Sequence, residues 1–234
     1  MAELLRVNNI FESISGEAGG FLQGTWITGV RLQGCNLKCA WCDAPQAGES
    51  DVTHSQMALS AVLSACTNKH VLITGGEPLL HPMTIPLIEE LLRRGHKVQV
   101  ETNGTLGIPF IQPVHWVVDH KTPSSGMADK MPPIETYAHR ILRAVGIAHL
   151  ENPLGHAYVK WVIADDGDLD YAIRSLQALL RLDLGRWGVI FIFSPIDGRG
   201  SLIERMVQRI KGVDASLLDH IVFSAQLHKL FKMP

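Results

Sequence analysis

The chain has 234 residues, 46% of them hydrophobic, which is enough apolar side chain for one sizeable core and excludes a disordered polymer. Its 21 Lys and Arg against 23 Asp and Glu leave a formal charge of −2, which excludes the global basic field that nucleic acid or an anionic membrane attracts. No run reaches the ~18 apolar residues of a membrane span, and Met1-Ala2-Glu3 opens no signal sequence. A cytoplasmic chain without membrane or nucleic-acid partners is therefore expected, with its 4 cysteines as reduced thiols rather than disulfides.

In chain order, residues 26–33 read as a strand that runs straight into Gly34-Cys35-Asn36-Leu37-Lys38-Cys39-Ala40-Trp41-Cys42. Residues 55–66 read as a helix with Thr53 or Ser55 as cap and Cys66 as a small core residue. Val71 to Thr74 is a short β-branched run ended by Gly75-Gly76, the pattern of a buried parallel strand. A helix over 83–94 stops at Gly95, and Val98 to Thr102 is a strand closed by Asn103-Gly104. Trp116 to Asp119 is the next strand. A helix at 134–145, a strand at 157–163, a helix at 168–182 and a strand at 188–193 follow. A last helix covers about 201–211, and Ile221 to Phe223 is a final strand. About six strand–helix units without an internal repeat predict an α/β fold: one domain over 1–234, built as a partial, open parallel βα barrel. Functional residues should then gather at the carboxyl ends of the strands.

The unusual residues do follow the strands. Cys35, Cys39 and Cys42 stand at C-x3-C-x2-C spacing after the first. Three thiolates on one loop can hold three irons of a [4Fe–4S] cluster and leave the fourth iron open to a small molecule. A structural zinc site would need a fourth Cys or His, and none lies close in sequence. Gly75-Gly76-Glu77-Pro78 combines glycines, which permit close backbone approach, with a carboxylate; its bland alternative is a strand-to-helix turn. Glu101-Thr102-Asn103-Gly104 offers a carboxylate and an amide that suit ribose hydroxyls, or is a plain Asn-Gly turn. Arg31 is a charge inside an apolar strand, placed to meet a ligand carboxylate or to pair with Glu17 or another acid. Glu17 can accept hydrogen bonds from an amino-pyrimidinone edge, or be a solvated loop acid.

Three cysteines, Gly-Gly-Glu-Pro and a polar third strand end together resemble the radical S-adenosylmethionine superfamily. The outer segments are similar to one family within it, the 7-carboxy-7-deazaguanine synthases. They are Phe11-Glu12-Ser13-Ile14-Ser15-Gly16-Glu17, Val30 to Cys35, Trp41-Cys42-Asp43, Lys121-Thr122-Pro123-Ser124-Ser125-Gly126 and the tail Gln226-Leu227-His228-Lys229 ending at Pro234. That resemblance implies a ring-contracting lyase that turns 6-carboxy-5,6,7,8-tetrahydropterin into 7-carboxy-7-deazaguanine on the route to queuosine. It implies a [4Fe–4S] cluster on Cys35, Cys39 and Cys42, with S-adenosylmethionine held by Gly75, Gly76, Glu77, Pro78, Glu101 and Asn103. Asp119, His120, Lys121, Ser194, Pro195, Ile196 and Asp197 would complete that site. Ile14, Ser15, Gly16, Glu17, Arg31, Thr74, His228 and Pro234 would face the pterin, with the C-terminal tail closing over it. A flavodoxin- or ferredoxin-like reductant and a homodimer are further family expectations.

The chain departs from the family in two places. Ala44 stands where the family has a Thr that binds Mg2+, so that ion loses a side-chain oxygen. Ser15 and Ala18 replace the more usual Gln and Gly. A radical enzyme acting on another substrate, such as a protein-activating hydrogen abstractor, is the main alternative; a cluster- or zinc-binding module without catalysis is another.

Overall fold

The computed structural model describes residues 4–17, 19–21, 23–49, 55–146 and 156–233. A nine-stranded sheet runs through it in the spatial order β3-β1-β2-β4-β5-β6-β7-β8-β9. Seven strands are parallel: β2 (Trp26–Leu32), β4 (His70–Gly75), β5 (Lys97–Thr102), β6 (Val114–Asp119), β7 (His156–Ile163), β8 (Ile190–Pro195) and β9 (Ile221–Phe223). Two more, β1 (Leu4–Ile14) and β3 (Ser55–Ala58), extend the β2 side antiparallel. No pairing joins β9 to β3 among the described residues, so the sheet stays open as the strand count predicts. No described helix is long and apolar enough to cross a membrane.

Most helices stand where the apolar spacing puts them: α3 (Thr84–Arg93), α4 (Ile134–Val145), α5 (Asp166–Arg181) and α6 (Ser201–Asp214). Two short ones, α1 (Pro45–Gly48) and α7 (Leu227–Leu230), carry no long-range periodicity of their own. The helix expected over 55–66 is half right. Ser55 to Ala58 pairs with the free edge of β1, and α2 covers only Leu59–Ala65. Backbone pairing to an open edge there overrides the local helical pattern. Thr53 lies outside the described residues, and Cys66 is buried at the end of α2 as expected. β1 was not anticipated, because Arg6, Asn8, Asn9 and Glu12 break its apolar run, and only β2 and β3 on either side make it a strand. β5 and β6 are joined without an α-helix.

Strand parity sorts the side chains onto two faces. Ile73, Val98, Val100, Trp116, Val118, Val159, Trp161, Phe191 and Phe193 face the helices and form the main core. The opposite parity gives a second, smaller apolar group, Val117, Tyr158 and Ile192. That inner face, with Leu72, Gln99, Glu101, Asp119 and Lys160, is covered by the loop after β1 and by the tail. Leu227 N–H donates to Gly16 O at 2.8 Å, and Gln23 Nε2 donates to Ala225 O at 2.7 Å, so the two coverings are tied to each other.

Candidate active site

A cavity of 190 Å³ lies on the inner face at the carboxyl ends of the strands. Its wall includes Cys39 and Cys42 from the cysteine loop, Glu101 from β5, Asp119 and Lys121 from β6, and Lys160 from β7. Ile14 to Glu17 close it from one side, and Gln226, His228 and Lys229 from the other.

The cysteine loop is fastened at both ends. Gly34 N–H donates to Ala47 O at 2.6 Å, and Glu77 N–H donates to Gly34 O at 2.8 Å. A Cβ on Gly76 would lie 2.1 Å from Gly34 O, and one on Gly75, whose φ is 144°, would lie 2.2 Å from Leu32 O. The glycine pair thus meets a need of the fold itself: β2 and β4 approach too closely there for any side chain. Farther along, Ala40 N–H donates to Ser125 O at 2.9 Å, and Trp41 Nε1 donates to Ser124 Oγ at 2.9 Å. Ser124 Oγ in turn donates to the fully buried Asp168 at 2.5 Å. The Lys121 ammonium sits over the Trp41 ring, 5.4 Å from its centre.

The three thiols suit a cluster by their chemistry. Leu37 N–H points at Cys35 Sγ at 3.4 Å and Asn103 Nδ2 lies 3.9 Å from it, donors that favour a thiolate. Burial raises the Cys35 and Cys39 thiols, and the Lys121 charge works against that rise at both. The Cys42 charge adds to the rise at both. Among the described residues no three Cys, His, Asp or Glu side chains are set to hold a single metal ion.

Charges along the wall are nearly all matched. Lys160 Nζ lies 2.5 Å from Glu17 Oε2 and 3.2 Å from Asp119 Oδ1, the second an ion-pair contact rather than a directed hydrogen bond. Lys121 pairs with Asp119 Oδ2 at 2.9 Å, and Lys229 with Asp43 at 2.7 Å. Gln226 Nε2 donates to the other Glu17 oxygen at 2.6 Å. Burial opposes the charge on Asp119, but Lys121 and Lys160 outweigh it and hold the carboxyl below its usual range. Burial likewise opposes the Lys160 charge, and Asp119, Glu17 and Glu101 more than restore it. Two wall charges have no ion-pair partner among the described residues. Arg31 lies 5.1 Å from the centre of the Phe11 ring with its Nε buried and unbonded. Glu101 accepts from Thr74 Oγ1 at 2.9 Å, and burial raises its pKa. The alternative pairing of Arg31 with Glu17 does not occur.

Of the residues singled out in the sequence, Ile14, Ser15, Gly16, Glu17, Arg31, Cys39, Cys42, Ala44, Thr74, Glu101, Asp119, Lys121, Ile196 and His228 meet at this cavity. Cys35, Gly75, Gly76, Pro78 and Asn103 are not among its lining residues, nor are Ser194, Pro195 and Asp197. Glu77 turns inward: its carboxylate accepts from Leu79 N–H, Thr102 Oγ1 and Asn103 N–H at 3.0, 2.8 and 2.7 Å, strapping β4 to β5. The His120 ring does not join Asp119 and Lys121. Parity turns it to the helix side, among Tyr137, Trp161 and Tyr171, where burial lowers its pKa to about 4. Pro234 and Ala18 lie outside the described residues. The sequence reading missed Lys160, although its signal matches that of Arg31, a charge within the apolar run Ala157 to Ile163. Asp168 was also missed, since an acid in the first turn of a helix is ordinary.

Residues 30–112 match the model of the radical SAM superfamily. The chain is 44% identical over 108 residues to the 7-carboxy-7-deazaguanine synthase of Aquifex aeolicus, an alignment spanning 45% of this chain and 48% of that protein. It is 34% identical over 235 residues to the 7-carboxy-7-deazaguanine synthase of Hyperthermus butylicus, covering 99% of this chain and 94% of that one. The crystal structure of QueE from Escherichia coli superposes with a TM-score of 0.67 at 21% identity, over 96% of this chain and 95% of that one, and shares the fold. A full-length relative at this identity, together with the superfamily match over the cysteine loop and the next three strands, is decisive: the chain belongs to the 7-carboxy-7-deazaguanine synthase family of radical SAM enzymes.

Proposed function

We propose that the chain is a lyase that converts 6-carboxy-5,6,7,8-tetrahydropterin into 7-carboxy-7-deazaguanine with loss of ammonia, in 7-deazapurine and queuosine biosynthesis. The observation that carries this reading is the charge pattern of the cavity. Arg31 is the one wall cation without an acid among the described residues, and it suits a substrate carboxylate. Glu17, Glu101 and Thr74 line the same space and suit the N–H groups of a pterin.

Cys35, Cys39 and Cys42 would hold the [4Fe–4S] cluster. S-adenosylmethionine would rest against residues 75–78, Glu101, Asn103, Asp119, Lys121 and 194–197. Because the Glu77 carboxylate is consumed by the chain, residues 75–78 would offer backbone groups. His120 would contribute backbone for the same reason of direction. Bound together, cluster and S-adenosylmethionine supply a hydrogen-abstracting 5′-deoxyadenosyl radical. The protein would orient the pterin between Ile14, Ser15, Gly16, Glu17 and Arg31, and the tail with His228 would exclude water. Ala44 offers Mg2+ no side-chain oxygen and Lys229 holds Asp43, so Mg2+ in this chain would rest on carbonyls, water or substrate oxygens. A flavodoxin- or ferredoxin-like reductant, a homodimeric state and a cytoplasmic location complete the proposal.

Anaerobic turnover of reconstituted protein with dithionite, S-adenosylmethionine and the pterin, with and without Mg2+, tests it by mass spectrometry. 7-Carboxy-7-deazaguanine is the expected product. Formation of 5′-deoxyadenosine alone would retain the radical chemistry and remove the pterin as substrate.

A further inference from the structure

Lys160 has no role in the reading above, yet it lines the cavity. It lies on β7, contributed from 143 residues beyond Glu17. Its side chain is 8% exposed, and that of Glu17 is 13% exposed. A lysine in such a place costs several kcal/mol of desolvation unless its ammonium is well paired, so its partners identify what it serves. It has two, Glu17 at 2.5 Å and Asp119 at 3.2 Å. Asp119 already has Lys121 at 2.9 Å and keeps a counter-charge without Lys160. Glu17 has no other cation among the described residues; its second oxygen takes only the neutral amide of Gln226.

We propose that Lys160 is the positioning residue for Glu17: the pair fixes the carboxylate in place on the cavity wall as a hydrogen-bond acceptor, and this makes the site select a ligand edge rich in N–H donors. The inference rests on the pterin reading above. Ser15 and Gly16 are held by Thr25, Gly24, Gln23 and Leu227, whereas the Glu17 carboxylate itself is held, among the described residues, by Lys160 and Gln226. Removing the ammonium leaves the Glu17 carboxylate beside acidic neighbours without its ion-pair partner, which frees it to leave its place on the wall. An ammonium held by both acids can also share one of them with the ligand while keeping the other, so the pair need not break when Glu17 turns to a pterin.

The test is a double-mutant cycle on the reconstituted protein, with dissociation constants for 6-carboxy-5,6,7,8-tetrahydropterin and for S-adenosylmethionine measured separately under argon. Lys160→Met is expected to weaken the pterin roughly tenfold or more and S-adenosylmethionine by less than about threefold, since Lys121 still serves Asp119. In a Glu17→Gln background the same Lys160→Met change is expected to cost the pterin almost nothing further. Equal loss in both backgrounds, or an unchanged pterin constant in the single variant, would overturn the inference. Lys160→Gln keeps a donor to Glu17 without the charge and supplies the same comparison if Lys160→Met does not fold. Failure of the unsubstituted protein to bind the pterin would instead remove the proposed function, which separates the two claims.

Discussion

His228 occupies the space in which a side chain on Gly16 would begin: a Cβ there would lie 1.7 Å from its Nδ1. The N-terminal loop and the C-terminal tail therefore meet across a contact that only glycine allows, and Leu227 N–H to Gly16 O at 2.8 Å locks it. Gly16→Ala is expected to expel the imidazole and loosen the tail while the sheet stays intact. Its kcat/KM should fall roughly tenfold or more with Tm changed by only a few degrees. A variant with full activity would show that the tail contact is dispensable.

Asp168 takes hydrogen bonds from Ser124 N–H, Ser124 Oγ and Ala164 N–H at 2.9, 2.5 and 2.9 Å, and through Ser124 it holds the Trp41 indole. Asp168→Ala strands buried donors, each of which costs ~1–3 kcal/mol. Denaturant unfolding should show a loss of about 3 kcal/mol or more, and reconstituted iron content should fall as the cysteine loop loosens. Unchanged iron content would disconnect Asp168 from that loop.

His120 is neutral in the folded chain because burial lowers its pKa to about 4, against 6.5 for an ordinary imidazole. The unfolded chain binds a proton below 6.5 that the folded chain takes up only near 4, so stability is complete above 6.5 and is lost as pH falls between them. The full difference corresponds to about 3 kcal/mol. His120→Phe keeps a ring among Tyr137, Trp161 and Tyr171 and should remove this part of the acid sensitivity. Parallel unfolding curves at several pH values for the two proteins check it; identical slopes would contradict it.

Arg31 has no ion-pair partner among the described residues, so Arg31→Ala should change folding stability little beyond its packing on Phe11. Substrate binding should weaken by ~1.5–3 kcal/mol if the guanidinium meets a carboxylate. Steady-state KM and a thermal melt measure the two quantities, and an unchanged KM would take Arg31 out of the site.

Local chemistry was enough for much of this protein. Short β-branched runs such as Val71 to Thr74, which buries Val71 and Ile73 in the core, signal parallel strands by composition alone, so those strands and the open α/β class were legible without a structure. Three cysteines within eight residues carry their own chemistry, and Arg31 stands out because nothing local satisfies it. What only tertiary structure decided depends on partners distant in the chain. β1 and Ser55 to Ala58 are strands because each lends the other a hydrogen-bonding edge. Glu77 became a strap rather than an open ligand because Thr102 and Asn103, on the next strand, reach its carboxylate first. Strand parity moved His120 away from the site and brought in Lys160, which its sequence position had not singled out: a period of two sends the ring between Asp119 and Lys121 to the helix side and the Lys160 ammonium to the cavity. Spacing along the chain shows that a charge sits in a strand; the other side chains on that face determine what it meets.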